Sequence, residues 1–94
     1  MFKKLEPLLL SQARLSIISL LYHNKEMDFI AIQKITAISP GNLSIQINKL
    51  KEAGFLEMSK RFKGNYPSTN CVILPKGIIA FEDFIEGVNS YLKP

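Results

Sequence analysis

One cysteine, one histidine and no long apolar run exclude a good deal before any pattern is read. With Cys71 alone, no intrachain disulfide can form and no multi-cysteine zinc site is available. Metal sensing needs clustered Cys or His, and His23 is the sole histidine, so neither a metal nor another cofactor is expected. There is no phosphate-binding glycine loop, since Gly64 belongs to a turn. No apolar stretch approaches the roughly twenty residues that cross a bilayer, so no membrane partner is expected. The opening "MFKKLEPLLLSQAR" sets lysines before leucines as a signal peptide does, but Glu6 and Pro7 interrupt it after Leu5. A soluble, cytoplasmic chain is the expectation.

A length of 94 residues allows one domain, residues 1–94, and a hydrophobic content of 47% is too high for a disordered chain. So small a core is marginal alone, which favours burial against a partner subunit. The net charge of +4 matters less than its placement. From Lys49 to Lys63 stand five basic residues (Lys49, Lys51, Lys60, Arg61, Lys63) against two acidic ones (Glu52, Glu57). From Phe81 to Val88 the charges are all acidic: Glu82, Asp83 and Glu86. Charge gathered in this way marks a polyanion-facing side, although solvated surface lysines give the same count.

Ser11 to His23 has a helical pattern with Ser11 as N-cap. Leu15, Ile18 and Tyr22 make one apolar stripe while Ile17 and Leu20 lie on another side, so this helix needs cover on both. Asn24–Asp28 reads as a polar turn. Phe29 to Ala37 reads as a short helix, or a short strand entering one, with Ile32 and Ile35 inward. Pro40 biases Ser39 away from helical geometry and suits the first turn of a new helix that Ser39 caps. That helix spans about 40–53, with Leu43, Ile47 and Leu50 inward and Gly54 as its stop. Phe55–Phe62 and Cys71–Leu74 read as strands around a long polar turn, Lys63–Asn70, giving a hairpin over about 55–74. A last helix covers about 76–92, with Ile78, Phe81, Phe84, Ile85, Val88, Tyr91 and Leu92 as its stripe.

Two short helices joined by a tight turn and followed by a hairpin predict an α+β, mainly α fold. It is a winged helix-turn-helix with a two-stranded β-wing and a C-terminal helix. On the outer side of the 40–53 helix lie Gly41, Asn42, Ser44, Ile45 and Gln46, which is chemistry suited to a major groove. Asn and Gln bond bidentately to adenine, Ser reaches base or phosphate, and Ile45 can touch a thymine methyl. Free N–H groups near Ser39 and Gly41 favour a phosphate. Lys49 and Lys51 would follow the backbone, and Lys60, Arg61 and Lys63 on the hairpin would meet flanking phosphates or a minor groove. An ordinary surface helix beside a charged turn is the alternative for each feature taken singly.

The stretches "ARLSIISLL", "PGNLSIQINKLKEAGFLEMSKRFKGNYPST" and "KGIIAFEDFI" together resemble the small winged-helix transcriptional regulators of the MarR/ArsR-like type. The likeness runs from about Ala13 to Ile85. Gln46 stands where relatives often carry His, and "NCVILPKG" replaces their Thr-bearing "LT..G". The resemblance implies a homodimer that binds operator DNA and represses or otherwise regulates transcription, with the first and last helices as its interface. Leu10, Ile17, Leu20, Phe84, Val88, Tyr91 and Leu92 are the interface candidates. A protein-interaction module of the same fold, without DNA, is the alternative. An enzyme is not expected, and no catalytic residue is assigned. His23 sits at a helix end, Cys71 lies in a strand with no histidine nearby, and Glu82, Asp83 and Glu86 read as a solvated face. The operator and any small-molecule effector are not legible.

Overall fold

In the computed structural model, which describes residues 1–94, a 3-10 turn at Pro7–Leu9 leads into α1 (Gln12–Asn24). Then come β1 (Glu26–Asp28), α2 (Phe29–Thr36), α3 (Pro40–Glu52), β2 (Leu56–Lys63), β3 (Tyr66–Ile73) and α4 (Pro75–Leu92). The winged helix-turn-helix architecture is as expected, with three differences in its parts.

The first is a third strand. Glu26–Asp28, expected as a polar turn, pairs antiparallel with β3 in the register Glu26↔Val72, Met27↔Cys71, Asp28↔Asn70. The sheet order is β1-β3-β2. A three-residue strand is too short to show alternation, and only the unfilled edge of β3 recruits it.

The second is the length of the hairpin. Its strands run to a closing pair Lys63↔Tyr66, so the turn is Gly64–Asn65 and not Lys63–Asn70. Gly64, at φ 63°, takes the first central position, as a type II′ turn prefers. Pro67 argued for a loop. Counted out from the closing pair, Phe62↔Pro67 is a non-hydrogen-bonded pair, so the missing N–H is not needed there.

The third concerns cover. α1 lies at the centre and meets the 3-10 turn, α2, α3, α4, β1 and β3. The second apolar side of α1 is therefore largely satisfied within the chain. Ile17 and Phe84, expected at a subunit interface, are 0% and 5% exposed and already belong to the core. In α2, Ile32 is buried but Ile35 is 61% exposed. Three residues on an α-helix leave these side chains roughly 60° apart, and the core reaches only one of them.

Local chemistry fixes the helix ends. Ser11 Oγ accepts from Arg14 N at 3.3 Å, and Asp28 Oδ1 accepts from Ala31 N at 2.7 Å. At the end of α3, Gly54 N donates to Lys51 O (2.9 Å) and Phe55 N to Leu50 O (3.0 Å). With Gly54 at φ 79°, that is a Schellman closure, and the buried Phe55 and Leu50 supply its apolar contact. The hairpin therefore leaves α3 at a fixed angle.

Candidate nucleic-acid interface

The turn between α2 and α3 is held by side chains. Ala37 takes a left-handed conformation (φ 58°), and Gln33 Nε2 donates to Ile38 O at 3.0 Å. Ser39 Oγ accepts from Asn42 N at 3.4 Å, and Leu43 N donates to Ser39 O at 2.8 Å. Pro40 has no N–H, so the Gly41 N–H is the one unengaged donor of the first turn. Leu43, Ile47 and Leu50 are fully buried, which points Gly41, Asn42, Ser44, Ile45, Asn48, Lys49 and Lys51 outward, all exposed. A Cβ added at Gly41 would meet nothing within 4 Å, so packing inside the chain gives no reason for glycine there. Gln46 is half-buried. Its Oε1 accepts from Arg14 Nη1 at 2.6 Å and its Nε2 donates to Asn42 Oδ1 at 3.0 Å.

The wing cations divide between two faces because strand side chains alternate. Arg61 and Lys63 share one face with Glu26 and Asp28, which lie across β3. Arg61 Nη1 lies 3.4 Å from Glu26 Oε1, and Lys63 forms an ion pair with Asp28. The hydrogen bond from Lys63, with that from the Ala31 N–H, holds the Asp28 carboxyl below the usual carboxylate range. Two of the three wing cations expected to lie open are thus engaged by carboxylates, and Lys60, on the opposite face, has no acidic partner. Arg61, Lys63, Glu26, Asp28, Ser68 and Asn70 line one hollow, and the buried Asn70 Nδ2 has no hydrogen-bond partner there.

Residues 13–92 match the family model of the winged helix DNA-binding domain. The chain belongs to that family. A curated relative of this winged-helix domain, the uncharacterized protein MJ0432 of Methanocaldococcus jannaschii, is 32% identical over 75 residues, 80% of this chain and 82% of its own. A transcriptional regulator homologue from Pyrococcus horikoshii OT3 superposes with a TM-score of 0.85 at 26% identity, covering 90% of this chain and 84% of that one. YusO of Bacillus subtilis shares the fold, with a TM-score of 0.78 at 15% identity, over 86% of this chain and 57% of its own. Both superpositions show the winged-helix fold, in agreement with the order of helices and hairpin read from the sequence.

Elsewhere on the winged-helix domain, the N-terminal segment lies along α4. Lys3 N donates to Ser90 Oγ at 3.0 Å, Lys3 pairs with Glu86, and Phe2 stacks on Tyr91 with centroids 4.9 Å apart. Tyr22 donates to Glu82 at 2.7 Å. Glu82, Asp83 and Glu86 are all exposed, as a solvated face requires, and Glu82 and Glu86 each take one partner there. Of the interface candidates, Leu10 (60%), Tyr91 (48%) and Leu92 (73%) are exposed, while Leu20 and Val88 are half-buried against the core. Cys71 is buried, and burial pushes its thiol up to about 11, with the Asp28 charge adding to the shift. No three His, Cys, Asp or Glu side chains gather as metal ligands, and no helix is long and apolar enough to cross a membrane.

Three residues that bear on the site escaped the sequence reading: Arg14, Glu26 and Asp28. Arg14 is the sole charged residue between Ser11 and Tyr22, and a lone charge in an otherwise uncharged stretch of helix was its signal. Glu26 and Asp28 carried none, because their role exists only through the pairing of β1 with β3.

Proposed function

We propose that this winged-helix domain is a sequence-specific DNA-binding transcription regulator, a repressor acting as a homodimer and not an enzyme. In this reading α3 enters the major groove, and the wing lies on the flanking backbone or minor groove. One observation carries it: the outward face of α3 from Gly41 to Gln46 is small and polar around a single exposed Ile45, and its glycine has no packing role inside the chain. A bare helix start lets the Gly41 N–H come close to a phosphate. Asn42, Ser44 and Ile45 then face base edges, with Gln46 held behind Asn42; Ser39, Lys49 and Lys51 face the backbone, and Lys60, Arg61 and Lys63 the wing-side phosphates. The second copy packs through α1 and α4, on the exposed Leu10, Tyr91 and Leu92 with the half-buried Leu20 and Val88 at its margin. Half-sites then lie about one helical turn apart, ~34–36 Å.

Mobility shift against genomic fragments tests the reading. Binding is expected to weaken steeply with salt, as ~6–10 phosphate contacts require. Arg61→Ala weakens binding on every sequence, whereas Asn42→Ala alters which sequence is preferred. Absent or salt-insensitive binding refutes the proposal. If it comes with a partner protein retained through α4, the fold serves as an interaction module instead.

A further inference from the structure

Arg14 lies on α1, outside the helix proposed to face DNA, yet it begins a chain of hydrogen bonds that ends on that helix. Its Nε donates to Leu8 O at 2.6 Å, and its Nη1 donates to Gln46 Oε1 at 2.6 Å. A guanidinium has donors and no acceptor, so the Gln46 atom facing it must be the oxygen. The Gln46 nitrogen is thereby turned toward Asn42, where the group it meets must again be an acceptor. Nε2 reaches Asn42 Oδ1 at 3.0 Å. Asn42 is left presenting its Nδ2 donors to the outside. Flipping either amide sets N–H against N–H, so the polarity of both follows from Arg14.

We infer that Arg14 is a positioning residue for base recognition: acting through Gln46, it fixes the Asn42 amide with its donor side toward the base edge. The inference rests on the DNA reading given above. A donor-presenting Asn42 suits guanine, thymine or a purine N7, all of which offer acceptors in the major groove. It disfavours cytosine, whose edge there offers only an amino donor. Free of the relay, an asparagine rotates its amide and accepts either kind of edge.

Selection of bound duplexes from a random pool tests this with the wild type, N42A, R14L and Q46M. The base position whose preference changes in N42A is the one that Asn42 reads. At that position the wild type is expected to deplete cytosine about five- to tenfold, and R14L and Q46M to bring it back to near its pool frequency. Thermal unfolding checks that each variant is folded. Gln46 is half-buried on α3, so Q46M cuts the relay with α1 untouched even if R14L folds poorly. A folded Q46M that still depletes cytosine overturns the inference, as does a wild-type preference for cytosine there or an N42A profile identical to wild type. A wild type that enriches no sequence refutes the DNA reading itself.

Discussion

Releasing the wing cations should strengthen DNA binding and make it more sensitive to salt. Arg61 and Glu26 are 3.4 Å apart with side chains 57% and 46% exposed. Coulomb attraction at that distance is ~1 kcal/mol in bulk water and ~5 kcal/mol at an effective dielectric of 20. With both groups about half in solvent, the measured range for exposed pairs, about 0.2–1 kcal/mol, is the applicable one. A phosphate that takes Arg61 from Glu26 forgoes that amount and also leaves a bare carboxylate beside the DNA. Glu26→Gln removes both costs, so affinity should rise about 1.4- to 5-fold per wing, or about 2- to 30-fold for a dimer using two. The bare Glu26 of the wild type keeps a counterion beside the DNA that Glu26→Gln releases, so the slope of log affinity against log salt should steepen by up to ~0.9 per wing. Adding Asp28→Asn frees Lys63 and keeps the cap of α2, because Asn caps as well as Asp. Mild acid does not substitute for this change, since the hydrogen bonds from Lys63 and the Ala31 N–H hold the Asp28 carboxyl below the usual carboxylate range. Fluorescence anisotropy on a labelled duplex across ~50–200 mM salt measures affinity and slope together. Weaker binding with an unchanged slope would refute the reasoning, because the carboxylates would then be struts that hold the wing in its binding pose.

Three further outcomes follow from local geometry. Gly77→Ala should lower the melting temperature by several degrees: its Cβ would press on the backbone carbonyl of Phe55 and lie 3.1 Å from Ile73 Cγ1, which outweighs the ~1 kcal/mol helix gain of alanine. Gly41→Ala has open space and should gain up to ~1 kcal/mol in thermal unfolding, yet weaken binding to duplex DNA; equal or tighter binding would remove the close-approach role of that glycine. Cys71, buried with its thiol pushed up to about 11, should resist a disulfide reagent at mildly alkaline pH until guanidinium unfolds the chain, and fast labelling of the native protein would show the core opening.

How far this fold was legible depends on the sequence distance over which each feature is decided. α3 was read with its cap, its inward residues and its glycine stop, because Ser39, Pro40, Leu43, Ile47, Leu50 and Gly54 act within a few residues of one another. The third strand was not, because Met27 becomes part of a sheet only by meeting Cys71. The short hairpin turn was missed for a related reason. Ser68 and Thr69 look like loop residues until the register sets them opposite Arg61 and Lys60.

The same limit governs the candidate site, and there it changes the chemistry. A hydrophobic pattern tells which sides of a helix are apolar but not what covers them. Two-sided α1 therefore implied a partner where the chain's own helices and strands lie. A charge pattern likewise tells where cations stand in the sequence but not what holds them. Arg61 and Glu26 are 35 positions apart, as are Lys63 and Asp28, and Arg14 and Gln46 are 32 apart. Counted along the chain, the wing is strongly basic; counted in space, Lys60 alone among its three cations has no carboxylate partner. The α3 surface shifts in the same way. Asn42 and Gln46 look like two independent readers in sequence, and in the fold they form one relay anchored on α1. In the proposed DNA reading, recognition is therefore not a property of α3 and the wing alone, since β1 sets the charge the wing can offer and α1 sets the polarity α3 presents.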